Sequence, residues 1–293
     1  MTIKNLFISY LQRRGLRKKS EQTYTTKINI FCDYLSKARV YRLNRVTKAV
    51  AEAFLDTVSK SPTTRNAYRD TMRSFFKDAM TAGLIKTNPF GDIKKRAEAR
   101  QGKKYFTDEQ VIQLSAVIEE ENPILWMACK TLYYCFIRNT EMSKLPLEDV
   151  YHNEGVIRVF GGYSKNKKTQ PVIVPDEFIS DIQEWFIKQK AQGVDLFFTY
   201  KGKSLARGDW FSKQHAKILR RLGYSHRYSF YSWKHTGAVH FYRQTKDLKA
   251  LQLQLRHHSL DQVDEYLREL GVIENIGIKV HTMPKKNAMQ LAA

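Results

Sequence analysis

The feature that most constrains this chain is a break. Asn88-Pro89-Phe90-Gly91 sets a proline and a glycine side by side in a polar turn sequence. The eleven residues that follow, Lys94 to Lys104 (KKRAEARQGKK), are charged or polar and carry no apolar periodicity. No continuous helix or strand can run through such a stretch. A chain of 293 residues has enough length to bury a core on each side of it. The expected division is a helical unit over 1–93, a connector over 94–104, a second domain over 105–275 and a tail over 276–293. The connector reads either as an interdomain linker lying on a partner or as a solvated helix end.

Before the break the pattern is helical throughout. Apolar residues recur at helical spacing from Ile3 to Leu35, with Ser20 a plausible cap for a helix over 21–35. A second helix is expected over 48–59, and a third from Ser61-Pro62-Thr63 to Ala82, closing at Gly83. Together these make a compact bundle of about four helices. The first helix starts almost at Met1, so no further domain is expected ahead of the bundle.

Charge supplies the next constraint. The net charge is +21, and residues 1–100 hold 22 Lys or Arg against 8 Asp or Glu, a surplus of 14. Basic residues spread along helical segments form the electrostatic footprint of a polyanion-binding face. Nucleic acid is therefore the expected partner, ahead of an anionic membrane, since no lipid-anchor motif or basic amphipathic leader is present. No apolar run approaches the ~18 residues of a membrane span. A cytoplasmic protein with no membrane association and no small-molecule substrate is expected. Cys32, Cys129 and Cys135 form no CxxC pair and no Cys/His metal spacing, which suits small buried hydrophobes in a reducing compartment.

After the break, Thr107-Asp108-Glu109-Gln110 is a capping box for a helix to about Glu119, followed by an apolar helix over Pro123–Phe136. Val156–Phe160 and Pro171–Val174 are β-rich, and the Gly- and Lys-rich residues between them suggest a hairpin. Helices are expected over 176–190, 207–222, 233–245 and 247–256. The fold class is mainly α with a small β-sheet.

Three short segments in this half carry chemistry. The first is Phe136-Ile137-Arg138-Asn139-Thr140-Glu141-Met142-Ser143-Lys144-Leu145. The second is Tyr231-Ser232-Trp233-Lys234-His235-Thr236. The third is Leu255-Arg256-His257-His258-Ser259, followed by Tyr266. His257 precedes Tyr266 by nine residues, and Lys234 precedes His257 by 23. Ser259 and Gln262 form a capping-box start for the intervening helix. Alone, Tyr266 would read as core, since Leu260, Val263 and Leu267 make an apolar stripe beside it. An arginine fork, a basic cluster, a histidine and a tyrosine in this order are what phosphodiester cleavage by a tyrosine nucleophile needs.

The order and spacing of these boxes resemble those of the tyrosine recombinases, the family of phage integrases and chromosome-dimer resolvases. The resemblance covers nearly the whole chain. It implies a helical core-binding (SAM-like) N-terminal domain and a mixed α+β catalytic domain. It further implies double-stranded DNA as partner, a tetramer on DNA that exchanges a C-terminal segment, and strand exchange without metal, ATP or other cofactor. Arg138 matches the family's first arginine, with Phe136 at a position that is usually glycine. Tyr266 becomes the nucleophile, and His257 the histidine that precedes it.

A hairpin lysine becomes the general acid. Lys165, Lys167 and Lys168 are the candidates, and Lys165 stands nearest the family's Gly-Lys turn. The sequence departs from the usual His-x-Leu-Arg-His-Thr in that Lys234 replaces the second arginine and Tyr231 the first histidine. Lysine grips a phosphate as a point charge, not a fork. A tyrosine with a reference pKa of about 10 is a poor proton shuttle near neutrality. Arg227 and Arg243 are candidates to compensate. A weakened, DNA-binding architectural member and a type IB topoisomerase-like enzyme are the competing readings.

Overall fold

The computed structural model describes residues 3–98, 102, 104–162, 168–205 and 209–272. The chain separates into two compact units, Met1–Arg100 and Gln101–Ala293.

In the first unit, α1 (Ile3–Arg14), α2 (Lys18–Lys37), α3 (Lys48–Val58) and α4 (Pro62–Thr81) pack around a phenylalanine-rich core. Phe31, Phe54, Phe75, Phe76 and Phe90 are all buried, and Phe31 meets Phe54 edge-on at 4.7 Å. Pro62 opens α4, where its missing N–H is not needed, and the Thr47 hydroxyl caps α3 at the Val50 N–H. Ser20 does not cap α2. Gly15, at φ +54°, turns the chain out of α1, and α2 starts at Lys18, which leaves Ser20 inside the first turn.

The segment after α4 is fastened to that helix. Arg69 Nε donates to the Ile93 carbonyl at 2.5 Å. Asn66 donates to the Arg96 carbonyl at 2.8 Å and accepts the Arg96 N–H at 3.0 Å. Both side chains are buried on α4, so the early part of the charged stretch lies docked on the bundle.

The second unit starts with α5 (Asp108–Glu121), where Thr107 and Gln110 form the expected capping box. Next come α6 (Pro123–Tyr134), the single turn α7 (Asn139–Met142), and an antiparallel sheet of β1 (Val150–Tyr151), β2 (Val156–Val159) and β3 (Gln170–Ile173). Ile157 pairs with Val172, as the expected hairpin requires. Strand β1 is two residues long, too short to show alternation. After α8 (Asp176–Ala191), β4 (Thr199–Tyr200) and β5 (Lys203–Ser204) make a second small hairpin. The chain then runs through α9 (Trp210–Arg221), α10 (Ser232–Thr245), α11 (Leu248–Leu255) and α12 (Leu260–Glu269).

Helix α10 is the buried axis of this unit, with Ser232 to Val239 all buried. It lies so close to α6 that a Cβ at Gly237 would stand 2.1 Å from the Tyr133 carbonyl oxygen. Only glycine permits that approach. His215 accepts a hydrogen bond from the Trp233 indole at 2.9 Å, and burial pushes its pKa down to about 3, so it is a neutral core group. Among the described residues, no helix is long and apolar enough to cross a membrane.

Candidate active site

The site is built on the chain reversal after α6 and on the first turn of α10. Phe136 sits at φ +53°, a left-handed backbone that side chains disfavour, and this turns its carbonyl toward α10. There it accepts a hydrogen bond of 2.9 Å from Lys234 Nζ. Lys234 is 2% exposed, with its ammonium over the rings of Phe136 and Tyr231. Burial, with Arg138 and Arg256 nearby, holds that ammonium well below the usual lysine range.

Two arginines meet on one carboxylate. Arg138 precedes α7, and its backbone N–H donates to Glu141 Oε2 at 2.8 Å while its guanidinium donates to Oε1 at 3.1 Å. Arg256 donates from Nη2 to the same Oε2 at 2.5 Å. The Glu141 and Arg256 side chains are each 1% exposed, whereas that of Arg138 is 23% exposed. The Arg138 guanidinium is thus the member of the trio that reaches solvent. It also lies close enough to Tyr231 to interact with that phenol electrostatically.

Tyr266, on α12, faces α10. Its hydroxyl lies 2.7 Å from His235 Nδ1, and its ring meets that of His257 edge-on at 5.7 Å. Burial, with further contributions from Tyr231 and Glu269, pushes the phenol well above the ordinary tyrosine value. The hydroxyl is therefore protonated near neutrality, and it donates to Nδ1 in the His235 tautomer that carries its proton on Nε2. Ser259 caps α12 at the Gln262 N–H, and the Gln262 side chain reaches back to the His258 N–H, one residue earlier than a capping box would have it. Tyr231, Lys234, His235, His257 and Tyr266 border one surface cleft of about 330 Å³, with Glu265 and Glu269 on its rim.

The fold thus brings together five of the six residues singled out in the sequence: Arg138, Tyr231, Lys234, His257 and Tyr266. The sixth, Lys165, lies outside the described residues, as does Lys167; Lys168 is exposed at the start of the return strand. The Lys234 ammonium is turned inward to a carbonyl instead of standing free as a surface point charge. Neither proposed compensating arginine is placed with these groups: Arg227 reaches the Gly102 carbonyl and Arg243 the Tyr105 hydroxyl, both exposed.

Three groups at the site were not anticipated. Glu141 and His235 stand in the first and second boxes, where nothing local marks them as partners of Arg256 and Tyr266. Arg256 stands where the resemblance has glycine in Leu-Gly-His. Its φ of +55° explains that preference, and the arginine in that place was the available signal. Among the described residues, no group of three or more His, Cys, Asp or Glu could hold a metal ion.

A partly exposed arginine near Lys234 can grip a phosphodiester, and the phenol and two imidazoles that border the cleft can pass a proton. The chain is similar to proteins of known family and fold. The phage integrase family matches residues 104–270, and the phage integrase N-terminal SAM-like domain matches residues 5–83. A tyrosine recombinase of Thermosipho africanus is 26% identical over 274 residues, covering 89% of this chain and 93% of that protein. The tyrosine recombinase XerD of Listeria innocua is 23% identical over 266 residues, covering 86% and 89%. A lambda integrase dimer bound to a core site superposes with a TM-score of 0.76 at 16% identity over 97% of this chain and all of that one. The Tn1549 transposon integrase in complex with a circular intermediate DNA gives 0.75 at 15% identity over the whole of both chains.

Proposed function

We propose that this chain, which belongs to the phage integrase family and is a tyrosine-type site-specific recombinase, cuts DNA with Tyr266 and holds the scissile phosphate with Arg138 and His257. The observation that carries the assignment is the 2.7 Å hydrogen bond from the buried Tyr266 hydroxyl to His235 Nδ1, beside Tyr231 and the cationic cluster.

The step runs as follows. Tyr266 Oη attacks phosphorus as its proton passes to His235 Nδ1. A phosphorus–tyrosyl bond forms, the bond to the 5′ oxygen breaks, and that oxygen leaves as a hydroxyl after taking a proton from a hairpin lysine, Lys165 by position. Arg138 and His257 hydrogen-bond the non-bridging oxygens as negative charge builds on them, with the Tyr231 hydroxyl as a further donor. Lys234 closes the floor of the cleft, its amine hydrogen-bonded to the Phe136 carbonyl. The 5′-hydroxyl of a partner strand reverses the attack, so the phosphoester energy is conserved and the strand is rejoined.

Double-stranded DNA is the substrate, and the surplus of positive charge in residues 1–100 supplies its sequence-independent attraction. Lambda integrase has been seen as a dimer on a core site and as a tetramer on a Holliday junction. By that likeness this chain works as a multimer on DNA, a tetramer being the arrangement that joins two duplexes. The test is a nicked target duplex whose 5′-hydroxyl product diffuses away. The parent protein accumulates a covalent DNA adduct and Tyr266→Phe does not. An adduct of equal yield in Tyr266→Phe overturns the assignment.

A further inference from the structure

Arg256 combines two features that a helix end does not call for. It ends α11 with a left-handed backbone at φ +55°, a place where glycine or asparagine serves a simple C-cap. It also buries its guanidinium almost completely, at 1% exposure. A charged group out of water at a disfavoured backbone position persists only where its surroundings over-determine it. Those surroundings are the Glu141 carboxylate, which Arg138 also holds.

We propose that Arg256 is a positioning residue for strand cleavage: it holds Glu141 Oε2 so that this carboxylate fixes Arg138 without neutralising the site. The geometry is specific. Glu141 Oε2 accepts from the Arg138 backbone N–H at 2.8 Å and from Arg256 Nη2 at 2.5 Å, while Oε1 takes the Arg138 guanidinium at 3.1 Å. Without Arg256, Arg138 and Glu141 form a closed pair of zero net charge beside an ammonium that burial holds low. With Arg256, two guanidinium groups share one carboxylate, and the trio keeps a net charge of one positive unit for an incoming phosphodiester. Arg256 does not touch that phosphate, since its side chain is enclosed. It acts through Glu141 on the partly exposed Arg138.

This inference rests on the assignment of Arg138 as a phosphate-binding group. It differs from a structural role in what rescues its loss. If Arg256 serves to offset the Glu141 charge, removing that charge repairs its absence; if it only packs, a second core change adds damage.

The test compares the parent, Arg256→Gly, Arg256→Lys and the double variant Arg256→Gly/Glu141→Gln. Each is first shown by circular dichroism to be folded. Single-turnover adduct formation is then measured on the nicked duplex, with DNA affinity measured separately. Arg256→Gly, which relieves the backbone, is expected to cleave on the order of a hundredfold more slowly, with affinity within about threefold of the parent. Arg256→Lys is expected to fall between the two. The double variant is expected to recover about tenfold over Arg256→Gly. Cleavage by Arg256→Gly within about threefold of the parent overturns the proposal, as does a double variant no faster than the single one. An adduct that persists in Tyr266→Phe instead overturns the nucleophile assignment and leaves the ranking of the Arg256 variants to decide this proposal.

Discussion

His235 Nδ1 and the Tyr266 hydroxyl lie 2.7 Å apart inside the second unit, joined by a hydrogen bond that links α10 to α12. The contact sets an imidazole nitrogen beside the phenol oxygen proposed as the nucleophile. Tyr231, which stands where the family has a histidine, has its own pKa raised by burial.

Replacing His235 should therefore separate base catalysis from binding. His235→Ala is expected to slow adduct formation on the order of a hundredfold or more with DNA affinity retained. Its residual rate then depends on the phenolate fraction. The folded phenol titrates well above its usual value, so it remains protonated near neutrality. The phenolate fraction, and with it the rate, should rise about tenfold per pH unit between about pH 7 and 9. Initial rates over that range check this, and a flat profile in His235→Ala would remove the histidine from the proton path.

Lys234 is enclosed at 2% exposure against Phe136 and Tyr231, so restoring an arginine there does not simply restore a fork. Lys234→Arg is expected to lower stability by about 1–3 kcal/mol through overpacking. Lys234→Met keeps the volume but leaves the buried Phe136 carbonyl without its donor, so it should cost about 1–3 kcal/mol as well as cleavage. Thermal melts alongside adduct formation test both halves.

Gly237→Ala places a methyl group 2.1 Å from the Tyr133 carbonyl oxygen, in backbone that cannot move without separating α10 from α6. The expected loss is about 3 kcal/mol or more, at the upper end for overpacked cores. A urea titration with an unchanged slope and a midpoint near the parent's would contradict this packing.

In the first unit, Asn66→Ala removes both hydrogen bonds to the Arg96 backbone and one to Glu98. A loss of about 1–3 kcal/mol is expected from leaving buried groups unpaired. The charged stretch should become cleavable by trypsin under conditions where the parent resists.

Much of this architecture was legible in the sequence because its signals are local. Pro62 and the Thr107–Gln110 box mark helix starts at or within a residue of where they occur. The β2–β3 hairpin showed in its β-branched runs. The misses are tertiary or very short. Ser20 failed as a cap because Gly15 ends α1 early enough for α2 to begin before it, and β1 and β4 are too brief to carry a period. At the site, the spacing of His257 to Tyr266 was readable. The contact of His235 with Tyr266 was not, because 31 residues separate them and only the packing of α10 on α12 joins them. The partner of Arg256 was hidden for a similar reason. A positive-φ position normally advertises glycine, and nothing in the local sequence says that an arginine there reaches Glu141, 115 residues away.

The central claim is that Tyr266 becomes covalently joined to DNA. The most direct measurement is to trap the parent on a nicked target duplex, digest the adduct and identify the modified tyrosine by mass spectrometry. The account predicts a 3′-phosphoryl group on Tyr266 alone and no adduct in Tyr266→Phe. A phosphoryl group on any other of the 16 tyrosines, or an adduct that survives Tyr266→Phe, would contradict it.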